Sequence, residues 1–168
     1  MLHRDELQAI AGWCNRNGVR LISDEIYHGL NYDHPVASAT EFSPSAVVVN
    51  SFSKYFSMTG WRVGWLVLPE DLVRPVECLA QNMFISAPYI SQVAAEAAFN
   101  CHGELRENIA RYRRSRDHLL AALPSAGFSR LSPAEGAFYL FADISDRAND
   151  SVGFCARMLA ETGVAATP

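Results

Sequence analysis

Short apolar runs alternate with stretches of helical periodicity along the chain, a pattern typical of an α/β fold. Apolar and β-branched residues predict a short buried strand at residues 19–23 and further strands at residues 46–50 and 63–68. Apolar residues at helical spacing predict five helices: before Gly18, after Pro69, at about 88–100, at 104–123 and from about Ser151 onward. Because helices and strands take turns, we expect neighbouring strands to pair in a largely parallel sheet.

The character of the sequence changes after the long fourth helix. Pro124 and Gly127 end that helix, and the residues beyond them have the pattern of short strands. One such strand is predicted at residues 138–141. We therefore place a domain boundary near Pro124, which divides the chain into residues 1–123 and 124–168.

The composition is that of an ordinary globular protein. Of the 168 residues, 49% are hydrophobic and 19% are charged, which is enough apolar material for one sizeable core. A net charge of −4 argues against a nucleic-acid partner. The fourth helix carries a cluster of arginines that we interpret as a solvated face, namely Arg111, Arg113, Arg114 and Arg116.

The cysteines indicate the compartment. All four lie within apolar patterns typical of buried helices, without a C-x-x-C pair: Cys14, Cys78, Cys101 and Cys155. We expect reduced, intracellular thiols and no metal site. Charged residues directly after Met1 argue against a signal peptide, and the composition argues against membrane spanning. A cytoplasmic location without membrane association is the resulting expectation.

Chemically useful side chains follow the predicted strands, where α/β folds bind ligands. In chain order they are Asp24, Tyr27, Ser51, Ser53, Lys54 and Arg62. Serine hydroxyls and a guanidinium suit a phosphate group, and a lysine among apolar and aromatic neighbours suits nucleophilic use. Together these groups predict a site for a phosphorylated aldehyde. For a pyridine aldehyde, the carboxylate would keep the ring nitrogen protonated, the phenol would donate to the ring oxygen, and the amine would form an imine.

Three segments closely resemble the pyridoxal-phosphate site of fold-type I, class I/II aminotransferases, the aspartate aminotransferase-like family. They are Ser23-Asp24-Glu25-Ile26-Tyr27, Asn50-Ser51-Phe52-Ser53-Lys54 and Thr59-Gly60-Trp61-Arg62-Val63-Gly64. The resemblance extends over essentially the whole chain. It implies part of a three-layer α/β/α large domain with a mixed, mostly parallel sheet in residues 1–123, which includes the long connecting helix. Residues 124–168 would begin an α+β small domain.

The resemblance also implies a role for each candidate residue. Lys54 would form the Schiff base with pyridoxal 5'-phosphate, Asp24 would pair with the pyridinium nitrogen, and Tyr27 would reach the ring hydroxyl. Catalysis is expected from these three side chains.

The resemblance assigns the cofactor's phosphate to other residues. Ser51 and Arg62 would hold it, with Ser53 as a third contact. The segment Glu135-Gly136-Ala137-Phe138-Tyr139 looks like the family's start of the small domain.

Several neighbours of these residues are expected to play no chemical part. We interpret Glu25, His28 and Tyr32 as structural or surface residues, and Tyr55 and Phe56 as packing residues. The aromatic pair Trp61 and Trp65 is expected in the core.

By resemblance, the intact protein would be a homodimer that transfers an amino group between an amino acid and a 2-oxo acid. Family members are about twice as long as this chain. We therefore expect a fragment that lacks an N-terminal part, with a glycine-rich phosphate turn, a stacking aromatic residue and an asparagine, and a C-terminal end with the substrate-binding arginine.

Two alternatives to transamination stay open. Pyridoxal-phosphate-dependent C–S lyases and synthases of the same fold use the same lysine, aspartate, tyrosine and arginine. A chain with an incomplete site is also compatible with a catalytically inactive interaction or structural module.

Overall fold

The computed structural model describes all residues from Met1 to Pro168, and its strands form one small mixed sheet in the N-terminal part of the chain. Its strands are β1 (Ile22–Asp24), β2 (Val47–Ser51) and β3 (Gly64–Val67), in that order across the sheet. β1 and β2 are parallel, whereas β3 runs antiparallel to β2. The three strands predicted from the sequence and the α/β class with a mixed sheet are confirmed, but the first strand is not buried as expected, since Ile22 is 68% exposed.

All five predicted helices are present. They are α1 (Arg4–Arg16), α2 (Glu70–Met83), α3 (Tyr89–Ala98), α4 (His102–Ala122) and α5 (Ser151–Thr162). Two short 3-10 helices, Ala39–Glu41 and Thr59–Trp61, lie in the connections around β2. Gly18 follows α1 with a φ of 64°, a conformation that glycine adopts without a steric cost. None of the helices combines the length and apolar character that crossing a membrane requires.

By internal contacts the chain forms two compact units. The first comprises Met1–Arg113 together with Glu135–Phe138, and the second comprises Arg114–Ala134 and Tyr139–Pro168. This division falls within α4, so the domain boundary expected near Pro124 stays a prediction.

The first unit contains two groups of buried apolar side chains, and β2 leads from one to the other. Val48 belongs to the first group, which is Leu7, Ala37, Ala39, Ala46 and Val48. Phe52, directly after β2, belongs to the second, which is Phe52, Met58, Ala95 and Ala98. Phe52 and Met58 therefore anchor both ends of the loop that carries Lys54, because burial of large apolar side chains is the main favourable term in folding.

The second unit is held by polar contacts around α5. Asp150 caps this helix by accepting a hydrogen bond from the Gly153 amide at 3.0 Å. Arg147 donates to the Gly127 carbonyl at 2.6 Å, and the rings of Phe128 and Phe154 meet edge to face.

The prediction of a strand at residues 138–141 is wrong. No bridge forms within these residues, and isolated bridges lie on either side of them, between Gly136 and Asn31 and between Ala142 and Leu131. Ala137 has a φ of 57°, which an extended strand does not allow. The backbone therefore turns before the aromatic run instead of pairing along it.

Two further expectations about burial are wrong. Trp61 and Trp65 are 44% and 39% exposed, because no element of this chain covers their outer faces. Cys101 is exposed and lies between α3 and α4. All four cysteines are free thiols.

The arginine cluster of α4 is only partly a solvated face. Arg113 donates to the Tyr32 carbonyl and lies over the Tyr32 ring. The Arg116 side chain is only 13% exposed, donates to the Ala134 carbonyl at 3.1 Å and pairs with Asp117. These two arginines are anchored because carbonyl groups lie within their reach, which periodicity along one helix does not reveal.

The close approach of β3 to β2 gives a stability prediction. Gly64 pairs with Ser51, and a Cβ atom on Gly64 would lie 2.6 Å from the Asn50 carbonyl oxygen. Gly64→Ala should therefore lower the free energy of unfolding by about 1–3 kcal/mol, the usual cost of overpacking. Gly60→Ala is the matched control, since no atom lies within 4 Å of its added methyl group. Urea unfolding measures both, and equal stability of the two variants would contradict the prediction.

Candidate active site

Asp24 and Tyr27 stand at the carboxyl end of β1. The Glu25 amide donates to the Val49 carbonyl at 2.9 Å, which continues the parallel pairing one residue past Asp24. The Asp24 Oδ1 atom accepts a hydrogen bond from the Ile26 amide at 3.2 Å, so the chain turns there and Asp24 remains exposed. The strand end thus presents a carboxylate to solvent.

Glu25 fixes the loop that follows. Its side chain is only 4% exposed and accepts hydrogen bonds from the Ala39 amide at 2.8 Å and from the Ser38 hydroxyl at 3.2 Å. His28 Nδ1 lies 3.3 Å from the same carboxylate. Burial lowers the pKa of His28, and the charge of Glu25 opposes this effect. These contacts are compatible with the structural or surface roles expected for Glu25 and His28.

The loop after β2 is closed by hydrogen bonds within itself. The Ser53 amide donates to Ser51 Oγ at 3.0 Å, and the Ser57 amide donates to the Lys54 carbonyl at 3.0 Å. Thr59 Oγ1 donates to the Ser53 carbonyl at 2.7 Å. The backbone around Lys54 is therefore fixed independently of the lysine side chain.

Lys54 Nζ lies beside two aromatic rings. It is 5.3 Å from the centroid of Tyr27 and 5.5 Å from that of Phe138, and the two rings meet edge to face at 5.5 Å. An ammonium group over such rings is attracted by their negative faces. Lys54 also takes part in none of the ion pairs of the structure. The structure therefore brings Lys54 and Tyr27 together and adds Phe138.

Phe138 reaches Lys54 because the segment before it docks on a distant turn. The Tyr32 amide donates to the Glu135 carbonyl at 2.9 Å, and the Ala137 amide donates to the Leu30 carbonyl at 2.7 Å. The Tyr32 hydroxyl donates to the Ala137 carbonyl. The segment Glu135-Gly136-Ala137-Phe138-Tyr139 was evident in the sequence. The contact of Phe138 with Lys54 was not, because that contact depends on these long-range hydrogen bonds.

Arg62 stands in an unusual backbone conformation two residues before the pairing of Gly64 with Ser51. Its φ is 53°, its side chain is exposed, and it donates to the Thr59 carbonyl at 2.8 Å. Non-glycine residues in this region cost about 1–3 kcal/mol and persist where the surroundings impose them. Arg62 and Ser51 thus lie near the same end of the sheet.

The comparisons with known proteins decide the family. A family model described as aminotransferase class I and II matches residues 1–168. The chain belongs to this family. The resemblance inferred from the three sequence segments is thereby confirmed, and so is the fold class.

Curated relatives and solved structures agree with this assignment. The chain is 51% identical over 168 residues to a valine–pyruvate aminotransferase of Mycobacterium tuberculosis, covering 98% of this chain and 43% of the relative. A crystal structure of an aminotransferase from M. tuberculosis superposes with a TM-score of 0.95 at 49% identity, covering 100% of this chain and 44% of that one. Aspartate aminotransferase from Thermus thermophilus with maleate gives a TM-score of 0.88 at 33% identity, covering 99% and 44%. The chain spans less than half the length of these relatives.

Glu25 provides a test of how the loop bearing Tyr27 is held. Glu25→Ala should lower the free energy of unfolding by about 1–3 kcal/mol, because it leaves the Ala39 amide unpaired in a buried place. Glu77→Ala is the matched control, since Glu77 is 55% exposed and pairs only with Arg74. Such exposed pairs contribute about 0–1 kcal/mol. Denaturant unfolding distinguishes the two, and a neutral Glu25→Ala would show that the carboxylate does not hold the loop.

Proposed function

We propose that the protein to which this chain belongs is a pyridoxal-phosphate-dependent aminotransferase acting on amino acids and 2-oxo acids. The observation that carries the proposal is the placement of the Lys54 amine against Tyr27, beyond the carboxyl ends of two parallel strands. Lys54 is also the only lysine among the 14 basic residues of the chain. No other side chain here offers a primary amine to an aldehyde.

The residues around Lys54 have hydrogen-bond donors and acceptors that can bind this cofactor. Asp24 accepts its one hydrogen bond at Oδ1, which leaves Oδ2 for a protonated ring nitrogen. Ser51 accepts from an amide, so its hydroxyl hydrogen is available to a phosphate oxygen. Arg62 uses one amino group for the Thr59 carbonyl and has further donors to offer the same phosphate. The set therefore matches a phosphorylated pyridine aldehyde.

In this proposal each residue of the chain has one task. Asp24 holds the proton on the ring nitrogen, Tyr27 donates to the ring hydroxyl, and Ser51 and Arg62 bind the phosphate with Ser53 as a third contact. When bound, the cofactor supplies an aldehyde that condenses with amines and a protonated ring that withdraws electrons from the substrate α-carbon.

Lys54 is the proton carrier. As a free amine, its Nζ removes the α-proton of the substrate and delivers a proton on the way to product, acting as general base and then as general acid. The rings of Tyr27 and Phe138 lie beside Nζ and cover part of its surroundings.

The proposal also covers the substrate class, the oligomeric state and the location of the protein. The names of the relatives include valine, pyruvate and aspartate, which all belong to the proposed substrate class. We further propose a homodimer, as the resemblance to the family implies. Four free thiols support a cytoplasmic location.

The single lysine makes the proposal directly testable. Pyridoxal phosphate added to the chain should produce an absorbance band near the visible edge, and borohydride should then fix one cofactor per chain on Lys54, located by peptide mass. Lys54→Ala should lose the band, and Lys54→Arg keeps the charge as a control. The Met1 amine is the one competing site. Absence of the band in the unmodified chain would contradict the cofactor assignment and favour an inactive module.

Arg62 tests the phosphate clamp separately. Arg62→Ala should weaken pyridoxal phosphate binding about tenfold to a hundredfold, since hydrogen bonds to charged groups contribute about 1.5–3 kcal/mol. Binding of pyridoxal, which lacks the phosphate, should be unchanged. Arg74→Ala on α2 is the matched control because Arg74 is exposed and pairs only with Glu77. An equal loss for both forms of the cofactor would show that Arg62 acts on the fold and not on the phosphate.

A further inference from the structure

A second polar cluster lies in the first unit and takes no part in the proposed chemistry. His3 precedes α1, His34 lies in the loop after β1, and Glu135 precedes the segment that contacts Lys54. The two imidazole rings stack with centroids 4.1 Å apart. His3 Nε2 is 3.4 Å from Glu135 Oε1, and His34 Nε2 is 3.2 Å from Glu135 Oε2. Two imidazole nitrogens thus face one carboxylate.

The tautomer of His34 is determined by its other nitrogen. His34 Nδ1 lies 3.0 Å from the Pro35 carbonyl oxygen, which only accepts hydrogen bonds, so Nδ1 carries the hydrogen. In the neutral ring the Nε2 lone pair then points toward the Glu135 carboxylate. Two lone pairs at this distance repel each other unless a cation stands between them, either a proton on Nε2 or a metal ion.

The distances suit a metal ion as that cation. Zn²⁺ binds imidazole nitrogen at about 2.0–2.1 Å and carboxylate oxygen at about 2.0–2.2 Å, so two ligand atoms of a tetrahedral site lie roughly 3.3–3.5 Å apart. The two nitrogen-to-oxygen distances, 3.4 Å and 3.2 Å, are close to this value. All the donor atoms lie within 4.8 Å of one another.

We propose that His3, His34 and Glu135 bind one divalent transition-metal ion, best matched by Zn²⁺, with water as the remaining ligand. Two imidazoles and one carboxylate are a donor set that zinc uses, and the other nitrogen of His34 already has the carbonyl partner that orients ligating histidines. The side chains are 48%, 17% and 28% exposed, so an ion has access from solvent.

The ion would join three separate stretches of the chain. It would tie the start of α1 and the loop at His34 to Glu135, whose carbonyl accepts from Tyr32. The same short segment continues to Phe138, which contacts Lys54. Metal binding would therefore stabilise the placement of Phe138 without touching the cofactor, and the site stands or falls independently of the proposed function.

Calorimetric titration of the 168-residue chain with ZnCl2 tests this site. The protein should carry no affinity tag and no pyridoxal phosphate, and Cys101→Ser should be present throughout, because the exposed thiol is itself a zinc ligand. We expect saturation at one ion per chain and a rise in Tm with added zinc. Substitution of Co²⁺ should give the visible absorption of a tetrahedral site.

The variants separate ligation from folding. His34→Gln and Glu135→Gln should each weaken zinc binding by more than about 100-fold, since even outer partners of metal ligands contribute about 10- to 100-fold. His3→Asn removes a ligand but keeps a favourable helix cap, so it should lose affinity with its helix content intact in circular dichroism. His118→Gln, an exposed histidine of α4, is the matched control and should bind normally. No saturable binding, or equal binding in His34→Gln and Glu135→Gln, would overturn the proposal.

Discussion

The parallel pairing of β1 with β2 is the constraint on which the candidate site depends. Asp24 lies opposite Val49, and one more hydrogen bond, from the Glu25 amide, carries the pairing to the ends of both strands. Because both strands run in the same direction, the residues that follow them emerge at one edge of the sheet. A one-residue change of register would turn every side chain of β1 to the other face and separate Asp24 from the loop of Lys54.

The loops at this edge of the sheet are held in place by residues that have no proposed part in catalysis. Phe52 and Met58 are buried on either side of Lys54, and Glu25 holds the loop of Tyr27 from beneath. The candidate residues remain partly or fully exposed, so their polar atoms are available to a ligand. The buried residues therefore contribute to stability, and the exposed residues next to them are free to act on a ligand.

Local patterns carried much of the information in this chain. Apolar periodicity and the glycine and proline positions were sufficient for all three strands and all five helices, since these signals arise from contacts a few residues apart. The aromatic pattern around Phe138 predicted a strand that does not form. Ala137 has a left-handed backbone conformation, which interrupts an extended chain at this point. Trp61 and Trp65 were expected in a core, yet their exposure depends on which other elements cover them, and hydrophobicity alone does not contain that information.

The sequence by itself determined the family and the identity of the candidate residues, because Asp24, Lys54 and Arg62 lie in short segments whose residue types state their chemistry. Only the tertiary structure decided which groups meet. Phe138 reaches Lys54 because the segment before it forms hydrogen bonds with Leu30 and Tyr32, and His3 reaches His34 and Glu135 although all three are far apart in the chain. Such contacts follow from the path of the backbone through space, and no local spacing encodes it.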